Sequence, residues 1–213
     1  SLVGNQTVYT YRKALGKQLA IENNILADVI VPIPDSGVSA AIGFSQKSNI
    51  PFELGIIRSH YVGRTFIEPS QTIRQFGVKL KHSVNRSCIE NKKVILIDDS
   101  IVRGTTASKI VRMVYEAGAK EVHLGISCPP ILHPDFYGID TPNYNQLIAS
   151  KFNLDEITKL VGAKSLFFLS LAGTYKAMGC KERNSLTPQF TDHCFTGEYP
   201  IDISEILKIN RKL

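Results

Sequence analysis

A strand, a helix and a second strand follow one another between residues 94 and 127, and this order constrains the fold more than any other feature. Residues 94–97 read Val-Ile-Leu-Ile, an uninterrupted apolar run typical of a strand covered on both faces. Residues 122–127 are predicted to form the next strand. The segment between them has apolar residues at helical spacing, at Ala107, Ile110, Val111 and Val114. A βαβ unit of this kind predicts an α/β fold with a mostly parallel sheet flanked by helices.

The rest of the chain also alternates between the two kinds of element. Helical spacing or short apolar runs predict a helix over 11–25, a strand over 28–32, a helix over 38–44, a strand over 52–57, helices over 144–150 and 154–161, and an apolar piece over 165–171. The tail after this piece is poorly patterned. Because a chain of 213 residues can bury roughly 70% of its unfolded surface, we expect one domain over residues 1–213.

The positive charge of the chain is concentrated in one segment. The net charge is +6, but residues 58–86 alone contain six basic residues and one acid, whereas the remainder is nearly balanced. Nucleic-acid binding would distribute basic residues over several elements, so the segment predicts a local anion site. A loop of this length in a compact domain is unusual unless it is functional.

Membrane insertion and disulfide bonding are both disfavoured. The most apolar stretches, such as residues 165–172, are shorter than the roughly 18 residues that a spanning helix needs, and no charged-then-apolar signal segment opens the chain. The four cysteines include no CxxC pair, which favours reduced thiols. We therefore expect a cytoplasmic location. The spacing of His123, His133 and His193 indicates no metal site, and Cys128 is interpreted as a small core residue.

A candidate anion site follows the first strand of the βαβ unit. Asp98 and Asp99 stand at its carboxyl end, where ligands bind in open parallel sheets. The loop 100–104 then leads to Thr105 and Thr106, so backbone N–H groups, hydroxyls and a helix dipole converge there. A phosphate group fits between this loop and the start of the helix that follows it. The two carboxylates beside it suit either sugar hydroxyls or a hard cation such as Mg²⁺.

These residues resemble a known motif. Residues 94–106, VILIDDSIVRGTT, are similar to the phosphoribosyl pyrophosphate (PRPP) motif of type I phosphoribosyltransferases. Residues 61–67, YVGRTFI, and 136–140, FYGID, narrow the resemblance to the amidophosphoribosyltransferase family, colinearly from about residue 8 to about residue 179. The resemblance implies a type I phosphoribosyltransferase fold with a long flexible loop over 58–86. The chain would form only the transferase domain, without the family's N-terminal glutaminase domain.

The resemblance also implies an activity. Family members are glycosyltransferases that transfer a pentosyl group: ammonia displaces pyrophosphate from C1 of PRPP and gives 5-phosphoribosylamine, the first step of purine biosynthesis. Implied partners are PRPP, ammonia and pyrophosphate, with purine nucleotides as inhibitors and a second copy of the chain in a homo-oligomer. Neither a membrane nor nucleic acid is expected as a partner.

Site roles carry over residue by residue. Asp98 and Asp99 would hold the ribose 2′ and 3′ hydroxyls. Residues 32–37, PIPDSG, are similar to the family's pyrophosphate loop, in which Asp35 and Ser36 meet the substrate and Ser36 joins the two aspartates around Mg²⁺. Arg64 and Lys81 match the basic catalytic positions of the closing loop. The 5′-phosphate would be bound by Ser100, Val102, Arg103, Gly104, Thr105 and Thr106.

Two further expectations concern a second cofactor and an alternative function. Some family members hold an iron–sulfur cluster through cysteines at the positions of Asp135 and Thr191; of that ligand set only Cys194 is visible, so no cluster is expected. The alternative is a regulator that keeps a PRPP-binding fold to sense nucleotides and bind nucleic acid. The balanced charge outside one loop, and the absence of a helix-turn-helix or RNA-binding signature, argue against it.

Overall fold

The computed structural model describes residues 1–3, 5–59, 82–139, 141 and 143–203. The strands are β1 Leu2–Val3, β2 Gln6–Thr7, β3 Val29–Pro32, β4 Ile56–Arg58, β5 His82–Val84, β6 Lys93–Asp98, β7 Glu121–Ile126 and β8 Ser165–Phe168. The helices are α1 Val8–Glu22, α2 Val38–Ser48, α3 Arg86–Ile89, α4 Thr105–Glu116, α5 Ile148–Lys151, α6 Leu154–Val161, α7 Leu171–Ala177 and α8 His193–Thr196. None of the described helices is long and apolar enough to cross a membrane.

A four-stranded parallel sheet forms the centre of the molecule. Its strand order is β3-β6-β7-β8, with Val94 in register with Val29 on one side and Val122 on the other. Residues 94–97 of β6 are fully buried, which is why their sequence is apolar without alternation. The predicted α/β class and βαβ unit are thus confirmed. β4 and β5 form a separate antiparallel pair, as do β1 and β2.

Both faces of the sheet are covered by helices. Side chains alternate along a strand, so Val94 and Leu96 pack in a core with α4 and α6, whereas Ile95 and Ile97 pack in a second core with α1 and α2. α4 contributes Ile110 to the first core. The two cores hold the strand ends in place from opposite sides.

The α1–α2 layer depends on close backbone contact. A Cβ atom on Gly16 would lie 1.9 Å from the carbonyl oxygen of Ala40, and one on Gly43 would lie 1.9 Å from that of Lys13. The layer is extended by Glu22, whose carboxylate accepts hydrogen bonds from the backbone N–H (2.8 Å) and the hydroxyl (2.9 Å) of Ser170. The first helix thereby binds the N-terminus of α7.

Some boundaries differ from the sequence predictions. α1 begins at Val8 because the Thr7 side chain accepts a hydrogen bond from the N–H of Thr10 and caps the helix. The predicted strand 52–57 is shorter, with Phe52 contributing only an isolated bridge. The predicted helix 144–150 is divided into a 3₁₀ turn, Tyr144–Gln146, and α5, because Leu147 is buried in an extended conformation.

Candidate active site

A pocket of about 330 Å³ opens at the carboxyl ends of β3 and β6. The chain leaves β3 toward α2 on one face of the sheet and leaves β6 toward α4 on the other face, and this divergence opens a crevice at the edge. The pocket is lined by Ile33, Pro34, Ser36, Arg58, His82, Asp98, Asp99, Ser100, Ile101, Val102, Arg103, Gly104, Thr105, Thr106 and Ala107. Except for Asp35 at its rim and the two basic positions Arg64 and Lys81, which lie outside the described residues, every residue expected at the site lines this pocket.

The turn after β3 presses against the end of β6. The N–H of Ile33 donates to the carbonyl of Ile97 over 2.8 Å. A Cβ on Gly37 would lie only 2.2 Å from that same carbonyl oxygen, so the position requires glycine. The Pro34–Asp35 peptide bond in this turn is cis. This close approach brings the Ser36 hydroxyl to Oδ1 of Asp98, at 3.1 Å.

The acid pair is oriented by short hydrogen bonds. Oδ1 of Asp98 also accepts from the N–H of Asp99 at 2.8 Å, and Oδ1 of Asp99 accepts from the hydroxyl of Ser100 at 3.2 Å. Ser127 at the end of β7 donates its N–H to the carbonyl of Asp98, which fixes the backbone. Burial, and then the neighbouring Asp99 carboxylate, raise the pKa of Asp98 to about 7. Asp98 therefore holds its proton to a higher pH than an exposed carboxyl group does.

The loop of residues 100–104 ends at the N-terminus of α4, which has no side-chain cap among the described residues. Gly104 adopts φ 74°, a left-handed conformation, and α4 begins at Thr105 with no capping hydrogen bond from a described side chain. Its first N–H groups therefore face the pocket edge as donors for an anion. The loop is held from behind, because Val102 accepts from the N–H of Ile148 and Arg103 donates to Gln146.

The rim carries an ion pair. Arg58 Nη1 donates to Asp35 Oδ2 over 2.7 Å, and the Arg58 side chain is one-third exposed, at 33%. His82 reaches the same pocket because β5 pairs with β4 so that His82 lies opposite Arg58. The sequence analysis missed His82; only the pairing of strands separated by the undescribed residues 60–81 brings it there.

A second polar group lies beside the site. Asp135, His193 and Cys194 offer ligand atoms within 4.8 Å of one another and form a group that could hold a metal ion. Although burial raises the pKa of Asp135, N–H donors from Ile139 and Tyr137 and the contact with His193 lower it overall. The spacing of the histidines in the sequence did not indicate this group, because only the fold brings His193 to Asp135.

The chain also matches a known protein family. Residues 13–135 match the family described as the phosphoribosyl transferase domain. The chain belongs to the phosphoribosyl transferase domain family. Asp98, Asp99 and the turn of residues 32–37 all lie within the matched residues. The observed sheet with its covering helices confirms the type I phosphoribosyltransferase fold.

Relatives of this phosphoribosyl transferase domain are amidophosphoribosyltransferases. The chain is 59% identical over 201 residues to the enzyme of Rhizobium etli, and the aligned region covers 94% of this chain and 40% of that protein. It is 52% identical over 196 residues to the enzyme of Bacillus subtilis, and the aligned region covers 92% of this chain and 41% of that protein. The solved structure of the Bacillus subtilis glutamine PRPP amidotransferase with ADP and GMP matches with a TM-score of 0.83 and 51% identity, over 93% of this chain and 44% of that one. The chain thus spans about 40% of the length of these curated relatives.

Proposed function

We propose that this chain carries the transferase site of an amidophosphoribosyltransferase, which joins ammonia to C1 of PRPP and releases pyrophosphate. One observation supports this most directly: a single pocket combines the turn with Ser36, the acid pair Asp98 and Asp99, and an uncapped helix N-terminus. These three parts match the three chemical parts of PRPP: pyrophosphate, ribose hydroxyls and 5′-phosphate.

The substrate's orientation follows from those parts. The 5′-phosphate binds the N–H groups of the phosphate loop, residues 100–104, and the start of α4, where the helix dipole favours an anion. The carboxylates of Asp98 and Asp99 accept hydrogen bonds from the ribose hydroxyls. The pyrophosphate then extends toward Ser36 and Arg58, and the buried strand ends hold all of these groups before the substrate arrives.

The same donor set fits Mg²⁺. Two carboxylates and the Ser36 hydroxyl, which lies 3.1 Å from Oδ1 of Asp98, offer the oxygen ligands that this ion prefers. When bound there, Mg²⁺ would neutralise part of the charge on the leaving pyrophosphate. The chain's own carboxylates orient the sugar, and Ser36 holds the Asp98 carboxylate in position.

The proposed reaction is a displacement at one carbon. The bond between C1 and the pyrophosphate oxygen breaks with its electron pair, a C1–N bond forms with the lone pair of ammonia, and one proton leaves the nitrogen for solvent. Arg58 at the rim, and Arg64 and Lys81 outside the described residues, are proposed to neutralise the departing charge. The protein therefore contributes positioning and electrostatics rather than a covalent intermediate.

Regulation by purine nucleotides forms part of the proposal. The Bacillus subtilis relative was solved with ADP and GMP. A nucleoside monophosphate presents a ribose and a 5′-phosphate to the same loop, so we expect it to compete with PRPP. The homo-oligomeric state and the cytoplasmic location stay predictions, and no feature of the described residues favours the nucleic-acid-binding alternative.

A direct assay tests the proposal. The purified 213-residue chain, PRPP and Mg²⁺ are incubated at alkaline pH with and without ammonium chloride, and released pyrophosphate and 5-phosphoribosylamine are measured. Ammonium-dependent release in equal amounts is expected, and Asp99→Ala should abolish most of it. PRPP binding by calorimetry without any ammonium-dependent release would overturn the transferase assignment, and binding to DNA or RNA instead of PRPP would favour the alternative.

A further inference from the structure

The group formed by Asp135, His193 and Cys194 has no part in the proposed transfer reaction. Its members come from two segments separated by 58 residues along the chain. Oδ2 of Asp135 lies 2.8 Å from Nε2 of His193 and 3.8 Å from Sγ of Cys194. Asp135 and His193 are only 5% and 4% exposed, so three groups with metal-binding atoms converge away from bulk water.

The separations approach those of a tetrahedral metal site. Zn²⁺ bonds of about 2.0–2.2 Å to oxygen or nitrogen and about 2.3 Å to sulfur place a carboxylate oxygen and a thiolate roughly 3.6 Å apart. The observed distance between Oδ2 of Asp135 and Sγ of Cys194 is 3.8 Å. The pair of Oδ2 and His193 Nε2 would open from its hydrogen-bonded 2.8 Å to roughly 3.4 Å. The first separation thus shortens by about 0.2 Å and the second opens by about 0.6 Å, and the ligand atoms of His193 and Cys194 lie within 4.8 Å of each other.

Surrounding contacts already fix two of the three side chains, those of Asp135 and His193. Oδ1 of Asp135 accepts from the N–H groups of Tyr137 and Ile139, at 2.8 and 2.9 Å, which directs Oδ2 to the group. The His193 ring packs against the rings of Tyr137 and Tyr199, with centroids 5.0 and 5.1 Å away. Nδ1 of His193 is buried without a hydrogen-bond partner among the described residues. The hydrogen bonds to Asp135 and the ring contacts of His193 hold these two ligands in place before an ion binds.

The donor chemistry selects the kind of ion. An iron–sulfur cluster does not fit, because the family resemblance puts Asp135 and Thr191 where some members supply cysteines. Two thiols, Cys128 and Cys194, line the cavity beside this group, and only Cys194 belongs to the group. One carboxylate, one imidazole and one thiolate instead suit a single borderline-soft ion. We propose that Asp135, His193 and Cys194 bind one mononuclear divalent ion of the Zn²⁺ class.

The fourth ligand position has a place in the structure. A cavity of about 640 Å³ is lined by all three residues and reaches Asp99 and Ser100 of the candidate active site. A water molecule in this cavity completes a four-coordinate site. The ion then joins the segment around His193 to the loop around Asp135, on one wall of the space next to the acid pair.

Cobalt substitution provides the test. The full chain, freed of metal with a chelator and kept reduced without oxygen, is titrated with Co²⁺. We expect one equivalent to produce the visible bands of tetrahedral Co²⁺ and a thiolate-to-cobalt charge-transfer band, distinct from any Co²⁺ held by the oxygen donors of the candidate active site, and Zn²⁺ to displace it. Cys194→Ser should remove the charge-transfer band and weaken binding at least tenfold, whereas Cys180→Ser, outside the group, should change neither.

A second variant keeps the proposal falsifiable if Cys194→Ser fails to fold. Asp135→Asn preserves the shape of the side chain and should weaken Co²⁺ binding at least tenfold while the charge-transfer band persists at saturation. Absence of a thiolate band in the unsubstituted protein, or a band that survives Cys194→Ser, would overturn the proposal. So would stoichiometric iron and sulfide in protein purified without oxygen. PRPP binding, measured separately, is expected to survive in Cys194→Ser and in Asp135→Asn. Failure of the metal-site proposal is therefore distinguishable from failure of the proposed transferase function.

Discussion

Ser36 donates a hydrogen bond of 3.1 Å to Oδ1 of Asp98, joining two residues that are 62 positions apart in the sequence. The bond connects the turn after β3 to the end of β6, and Gly37 makes it possible by letting that turn approach the Ile97 carbonyl. Substrate groups that bind the turn and the acid pair are therefore positioned by one rigid unit. The predictions below test this unit and its surroundings.

Removal of either carboxylate should weaken PRPP binding. A charge-assisted hydrogen bond contributes about 1.5–3 kcal/mol, so Asp98→Ala and Asp99→Ala should each raise the Kd for PRPP roughly ten- to a hundredfold. Titration calorimetry with Mg²⁺ present measures this. Glu182→Ala, an exposed acid outside the pocket, is the control and should bind normally. Unchanged affinity in both aspartate variants, with intact folds, would disprove their role as ribose anchors.

The stability of the ligand-free protein should decrease as pH rises. The folded-state pKa of Asp98 is about 7, above that of an unfolded aspartate, so the folded state holds this proton more tightly. The stabilisation is complete below about pH 4 and is lost as pH rises toward and through 7. Asp98→Asn removes this loss.

Thermal unfolding without Mg²⁺ or PRPP provides the measurement. We expect the Tm of Asp98→Asn to exceed that of the unsubstituted protein at pH 8 by several degrees, and the two values to converge near pH 4. Glu182→Gln should follow the unsubstituted protein at every pH. A constant difference between Asp98→Asn and the unsubstituted protein over this range would contradict the raised pKa.

Gly37→Ala should damage the site through a steric clash alone. The new Cβ would meet the Ile97 carbonyl oxygen at 2.2 Å, and because both atoms belong to backbone-anchored groups, the turn must move. We expect a loss of about 1–3 kcal/mol in the free energy of unfolding and at least a tenfold loss of PRPP affinity. Ser39→Ala, in the first turn of α2, is the control. Normal affinity in Gly37→Ala would show that the turn does not position Ser36.

Arg58→Gln should affect binding more than stability. Its ion pair with Asp35 is partly exposed and contributes at most about 1 kcal/mol to folding. The cation faces the pocket, however, so we expect PRPP affinity to decrease several-fold and its salt dependence to weaken. Arg86→Gln removes the same charge from an exposed pair on α3 and should bind PRPP normally. Equal effects of the two variants would indicate net charge rather than position.

The centre of the fold and the candidate site could be predicted because their signals are local. A parallel strand buried on both faces is apolar throughout, as in β6, and the acids that follow it mark its carboxyl end. α7 was not predicted: the helix has only 7 residues, too short for a clear period, and its cap combines the Ser170 hydroxyl with the distant Glu22. The contact between Asp135 and His193 joins an irregular segment to the start of α8, a helix of 4 residues that is too short to show a period.

The hydrogen bonds between Glu22 and Ser170 also bear on the order of events during protein synthesis. The two residues are separated by 148 positions, so at about 5–20 residues per second the partner of Glu22 is made roughly 7 to 30 s after Glu22 itself. During that interval α1 and α2 can associate through Gly16 and Gly43, but the end of α1 that binds α7 remains uncovered on the nascent chain. Ribosome-bound chains that end before Ser170 should therefore expose this surface to chaperones, and longer chains should not.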